Sequence, residues 1–258
     1  MTVLSPHATR ADLVRNIAVA LLAIVQVVVA VVAGDAVGPV AREYATPLLA
    51  AGWTFAVWLP IYAGFLGYAA YQALPGQRAR QVHRRTGWWL AASAVFNAAW
   101  VLAFGAGWLP LAELLILALL VCVAVAYGRF TRTPADGVLE RVLVRGTVAL
   151  YTGWVSLATA LGTAATGVWI GLPGAGPLAV IAAIVVLLAV TAVVSWAVLA
   201  GTAVVPLAAA VVWAIAGTAL NDPPAGVVVA GAVAIVVVIA SVVRRITTAG
   251  FPVRAAWG

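Results

Sequence analysis

Few side chains in this sequence are equipped for acid–base or nucleophilic chemistry, and their placement is the first constraint on function. His7 and His83 both fall in basic segments far from any acidic cluster, so a His/Cys/carboxylate metal site is not expected. The single cysteine, Cys122, lies in an apolar run, and no disulfide within the chain can form. All fourteen basic residues are arginine; without lysine, no retinal or pyridoxal Schiff base can form. Ser93, Ser156 and Thr159 stand where hydroxyls return to the helix backbone or let helices approach, and no histidine or second carboxylate is placed to activate them. Glu113 sits about one turn inside an apolar segment and reads as a cap near the water boundary rather than a proton-coupling group. These residues point away from an enzyme. Asn97 is the exception that needs a role, because a carboxamide in mid-segment must find a partner, either another helix or a ligand.

Rings, by contrast, are abundant. The stretch AGWTFAVWLPIYAGFLGYAAYQ, residues 51–72, holds Trp53, Phe55, Trp58, Tyr62, Phe65, Tyr68 and Tyr71 in an uncharged run. Phe55, Trp58, Tyr62 and Phe65 follow at intervals of three, four and three, which stacks them on one helical face. In WWLAASAVFNAAWVLAF, Trp89, Ser93, Asn97, Trp100 and Phe104 recur at fours and a three; in LYTGWVSLATALGTAA, Tyr151, Trp154 and Ala158 share a face. Such faces serve either helix packing or the wall of a pocket for a flat ligand, and the residues alone leave both readings open.

The elements that must carry these faces are membrane helices. Of 258 residues 66% are hydrophobic and 8% charged, where a soluble domain needs roughly a quarter charged. Eight apolar segments of spanning length can be drawn, at about 16–33, 48–73, 88–106, 109–127, 143–167, 177–198, 201–219 and 226–243. Gly/Pro/Asn/Asp turn signals separate them, at 34–35, 74–76, 133–137, 171–174 and 221–224 among others. The first segment lacks a small-x-small cleavage site and reads as a retained helix. Arg10, Arg15, the arginines of 78–85 and 129–145, and Arg244, Arg245 and Arg254 all fall on one side of an eight-span topology, leaving only Arg42 on the other. That bias predicts both termini in the cytoplasm of a plasma (inner) membrane, and makes the charge of +7 a topology signal rather than a nucleic-acid footprint. Trp88, Trp89, Trp108 and Trp169 sit near segment ends, as interfacial anchors do. The fold class is therefore all-α and polytopic. The Gly/Pro stretch 171–177 divides it into an aromatic five-helix module, 1–170, and a Val/Ala-rich three-helix extension, 171–258, with the module expected to fold and bind alone.

Within the first module the motifs resemble a known family. WTFAVWLPIY resembles the Trp-x-Phe-x-Pro-Val-Trp-x-x-Leu-Tyr stretch of the tryptophan-rich sensory protein family (TspO/MBR), which includes the translocator protein or peripheral benzodiazepine receptor. FNAAWVLAF is similar to its Leu-Asn-x-x-Trp-x-x-x-Phe, LAELLILALL to its fourth-helix opening, and LYTGWVSLATAL to its Pro-Tyr-Leu-x-Trp-Val-Ser-Phe-Ala-Thr. The chain departs from the pattern at Ala56, where the family has proline, at Leu150, and at Gly162, where asparagine is frequent; the last three segments mark an extended form. The resemblance implies a five-helix bundle, often a homodimer, that binds porphyrins and aromatic drugs between its helices in the bilayer. It implies no required cofactor, only a porphyrin- or haem-type ligand. Carried over by position, Trp58 and Trp154 line the cleft, with Phe55, Tyr62, Asn97, Trp100, Tyr151 and Ala158 around it and Trp53 at its mouth. The expected function is a receptor or sensor for a flat hydrophobic molecule. The rivals are a transporter of that molecule, a porphyrin-degrading enzyme, and a scaffold for a partner membrane protein.

Overall fold

The computed structural model describes residues 7–258. Among these residues the chain forms ten α-helices and no strand: α1 (Arg10–Ala33), α2 (Val37–Glu43), α3 (Trp58–Ala73), α4 (Gln81–Gly105), α5 (Leu109–Phe130), α6 (Thr147–Trp169), α7 (Pro177–Ala200), α8 (Val204–Ala219), α9 (Ala225–Thr247) and α10 (Pro252–Trp257). Local chemistry starts them. Thr9 caps α1, accepting from the Asp12 amide while its own amide donates to the Asp12 carboxylate at 3.0 Å. Pro110, Pro177 and Pro252 stand in the first turns of α5, α7 and α10, where a missing N–H costs nothing.

Seven helical segments are long and apolar enough to cross a membrane. The eighth, α8, is a 16-residue apolar helix of about 24 Å, shorter than the roughly 30 Å hydrocarbon core. It need not span by itself, because it is enclosed by α6, α9 and the residues before α3. Pro206 falls in its first turn and does not break it. Around the bundle, apolar side chains face outward in quantity: Val31 is 76% and Val32 79% exposed, and Leu59, Trp196 and Leu114 also stand out from the surface. Such a coat is unsuited to water and suited to lipid. The protein is a polytopic all-α membrane protein.

The arginine-bearing segments converge on one end. Arg84 pairs with Asp12 at 2.6 Å and Arg15 with Asp12 at 2.7 Å, tying α4 to α1. Arg80 reaches Glu140 at 2.8 Å, Arg129 donates to the Arg85 carbonyl, and Arg254 to that of Thr131. Before α6 lies a π-helical turn, Glu140–Gly146. Its Arg145 is buried, pairs with Glu140 at 2.8 Å, and donates to the carbonyls of Phe130 (2.8 Å) and Thr133 (2.6 Å). These bonds satisfy acceptors at the end of α5 that would otherwise be orphaned. Trp108 and Trp169 are exposed at helix ends, as anchors would be; Trp88 is exposed two turns inside α4, which starts earlier than expected, at Gln81, and Trp89 lies beneath Arg129, 5.3 Å from its guanidinium.

Helix α6 is the hub: 72% of its most apolar stretch is buried, against 17% for the first segment. It packs on α3, α5, α7 and α8. The turn at 170–176 does separate the last helices in sequence, but α8 returns to the first bundle. At Gly153 the α6 backbone meets the Leu207 carbonyl so closely that any Cβ would overlap it, so glycine is required there. Burial of the α6 face thus depends on both parts of the chain.

Candidate functional site

Away from the arginine clusters, one group of rings lies beside two cavities. The chain enters α3 through a 3-10 stretch, Gly52–Val57, six residues long where such runs rarely exceed three or four. Phe55 therefore lies on a tighter turn than Trp58, and α3 proper starts at Trp58 with Pro60 in its first turn. Trp58 becomes the centre of a ring cluster. Tyr62 stacks on it at 5.2 Å and 18°; Trp100 lies 6.3 Å away; Tyr151 and Trp154 meet it edge-on at 5.7 and 6.1 Å. Phe55 meets Trp154 edge-on at 5.9 Å, and Phe104 continues from Trp100 at 5.5 Å. These offset and T-shaped contacts are the arrangements that aromatic quadrupoles favour.

Two adjoining cavities flank the cluster. The inner one, a narrow cavity of about 50 Å³, is walled by Phe55, Trp100, Phe104, Trp154, Leu157, Ala158, Leu161, Gly162 and Ala165, roofed by Val37, Ala41, Tyr44, Thr46, Leu49 and Ala50, and touched by Ala214 of α8. The outer one, about 540 Å³ and more open, is bounded by Phe55, Trp58, Leu59, Tyr62 and Trp100 on one side and by the end of α1 and the connection after it, residues 30–52, on the other, with Asp35, Arg42 and Asn221 on its rim. The outer cavity has the size of a small-molecule site, and both share the mostly apolar lining and few polar groups of such sites.

Six of the nine residues expected from sequence line these cavities: Phe55, Trp58, Tyr62, Trp100, Trp154 and Ala158. The other three lie elsewhere. Asn97 is fully buried behind the wall and accepts the Tyr62 hydroxyl at 3.0 Å, orienting that ring. Tyr151 is fully buried one turn deeper, covered by Trp58 and Phe65. Trp53 turns away from the mouth and packs edge-on against Trp213 of α8 at 4.8 Å. The roof residues Tyr44, Thr46, Leu49 and Ala50, and Ala214, were not anticipated: short irregular segments and an alanine in a Val/Ala-rich helix carry no periodic signal.

Near the site lie three buried donors without acceptors and one carboxylate oxygen, Glu113 Oε2, without a donor. Trp154 Nε1, Asn97 Nδ2 and the Tyr151 hydroxyl are buried and have no hydrogen-bond partner among the described residues. Ser93, Ser156 and Thr159 donate back to the carbonyls of Leu90, Thr152 and Val155, so none is paired with a base. Glu113 does not cap α5; its carboxylate accepts the Thr163 hydroxyl of α6 at 2.6 Å and approaches the bare backbone of Gly162. The reason is that Glu113 faces α6 rather than the open end of its own helix. No group of three His, Cys, Asp or Glu side chains able to hold a metal converges among the described residues. What this arrangement can do is enclose a flat apolar molecule and offer hydrogen bonds to acceptor atoms on it.

A family model described as "TSPO-like protein" matches residues 12–243. The match therefore runs past 170, through α7 and α8 and into α9, whereas the motifs quoted above end with α6. No curated protein and no solved structure matches the chain.

Proposed function

The chain belongs to the TSPO-like family, and from that premise we propose that it is a membrane receptor or sensor for a flat, hydrophobic, conjugated molecule of the tetrapyrrole class. The ligand occupies the cleft beneath residues 37–51, edge-on or stacked against Phe55, Trp58, Trp100 and Trp154. The observation that carries this reading is Trp58: a half-buried indole, surrounded by four other rings, with one side on open space rather than on packed side chains. The unpartnered donor of Trp154 supports a ligand that carries acceptor atoms, since leaving such a group buried and unmet costs about 1–3 kcal/mol. In this proposal the arginine-rich end faces the cytoplasm of the plasma membrane, the cleft opens toward the other face, and a second copy is the implied partner.

The test is a tryptophan-fluorescence titration of the purified full chain with porphyrins and other flat hydrophobes. Saturable quenching by porphyrins, with weaker response to non-aromatic lipophiles, supports the reading; no saturable response to any of them contradicts it. Flux into sealed vesicles separates a transporter from a receptor, and light-dependent loss of the porphyrin absorbance band identifies a degrading enzyme.

A further inference from the structure

The roof of the cleft has almost no structure of its own. Residues 45–51 form no regular helix, and the backbone bonds the segment makes to itself are turns, Leu49 N–H to Thr46 O and Thr54 N–H to Ala51 O. Four further bonds tie this segment and the 3-10 stretch after it to α8 and the residue just past its end, far along the sequence. Trp213 Nε1 donates to the Thr54 carbonyl at 2.8 Å, Thr218 Oγ1 to Leu48 at 3.0 Å, and Asn221 Nδ2, just past the helix end, to Leu49 at 3.1 Å. In return the Ala51 amide donates to the Gly217 carbonyl at 2.9 Å. Trp213 also packs on Trp53, and a Cβ at Gly217 would overlap the Thr54 side chain, which lies directly on the bare α8 backbone.

The spacing is regular. Residues 213, 217 and 221 recur every four positions, with 214 and 218 beside them, so one stripe of α8 faces the roof. Ala214 in that stripe reaches the inner cavity itself. One to two turns earlier, Leu207 and Ala210 seat the same helix on α6 at Gly153, next to Trp154 of the cavity wall. Helix α8 therefore joins roof and wall, and its two attachments fix the gap between them.

We infer that α8 is a clasp for the ligand cleft, with Trp213, Thr218 and Asn221 as positioning residues that hold residues 48–54 over the bound molecule. The inference rests on the ligand reading above for its consequence in binding, though not for the clasp itself. The roof is held shut by side-chain donors that reach backbone carbonyls, a connection that can be loosened without removing any ring from the cavity. A ligand then leaves by release of this segment, and the clasp governs how long it stays.

The test uses the full chain in nanodiscs with Trp213→Phe, Thr218→Val and Asn221→Ala, singly and combined. Trp213→Phe removes the N–H donor while keeping a smaller aromatic ring against Trp53. Amide hydrogen exchange of the unliganded protein is expected to rise tenfold or more at Leu49, Ala51 and Thr54 in the combined variant, with α4 and α6 unchanged. Protoporphyrin IX is expected to dissociate about tenfold faster, with association altered far less. Unchanged exchange at 48–54 overturns the clasp, as does a rise spread over α4 and α6, which marks general loosening. Faster exchange with an unchanged dissociation rate overturns its role in retention. If the unsubstituted chain takes up no protoporphyrin IX, it is the ligand reading that fails, and the exchange measurement still decides the clasp.

Discussion

One helix carries two versions of the same aromatic face. In its upper half Trp58 and Tyr62, with Phe55 on the 3-10 stretch just before, border empty space; in its lower half Phe65, Tyr68 and Tyr71 are buried against Tyr151 and His83, with ring centres 5.7–6.4 Å apart. The ring intervals are alike, three and four residues in the upper half and three and three in the lower. What differs is the wall opposite. The upper half looks across at Ala41, Ala50, Ala158, Gly162, Ala165 and Ala214. The lower half meets Leu143 and Thr147, which press against the bare backbone of Gly67 and Gly64, and the His83 ring. A pocket in this bundle is made by small residues on the neighbouring elements, and the aromatic stripe only decides what lines it.

That contrast can be broken by substitution. The largest effect is expected from Phe65→Ala, which should destabilise the fold by about 3–5 kcal/mol in a denaturation measurement, because the ring is 1% exposed and its removal leaves a cavity. Trp58→Ala and Trp154→Ala should each weaken porphyrin binding by about 1–3 kcal/mol, roughly 5- to 150-fold in the dissociation constant read from an absorbance titration. Ala158→Leu sharpens the point by filling the inner cavity. It should lower affinity about tenfold with little change in melting temperature, whereas in a closed core the extra volume would cost about 1–3 kcal/mol of stability. Tyr62→Phe removes the hydrogen bond to Asn97 and should change affinity or stability by about 0.5–1.5 kcal/mol. Trp108→Ala, 63% exposed at a helix end, should stay within about 0.5 kcal/mol on both measures.

The sequence was legible where physics is periodic. Apolar length located every long helix, and the arginines that share an end in the structure were already on one side of the eight-span topology. Helix α8 appeared as a span because hydropathy measures composition, while its 16-residue length reflects burial by protein instead of lipid. At the site, Phe55, Trp58, Tyr62, Trp100, Trp154 and Ala158 were recoverable from spacing and motif. Depth was not: Tyr151 shares a face with Trp154 but sits one turn lower, under Trp58. Trp53 was misplaced because a 3-10 stretch turns its residues at a different angle from an α-helix. The roof at 44–51 and its fastening by Trp213, Thr218 and Asn221 bring together residues about 160–170 apart in the chain, a pairing that no local pattern encodes.

The central claim is that the space beside Trp58 is a ligand site and that the space-filled half of the same helix is not. Protoporphyrin IX titration and thermal melting of the full chain, run side by side on Trp58→Ala and Phe65→Ala, test it most directly. The account predicts a crossed result: Trp58→Ala loses affinity with a near-normal melt, and Phe65→Ala melts far lower while its folded fraction binds normally below that melt. Unchanged affinity in Trp58→Ala together with a lowered melting temperature would contradict it, and would make the upper rings packing as well.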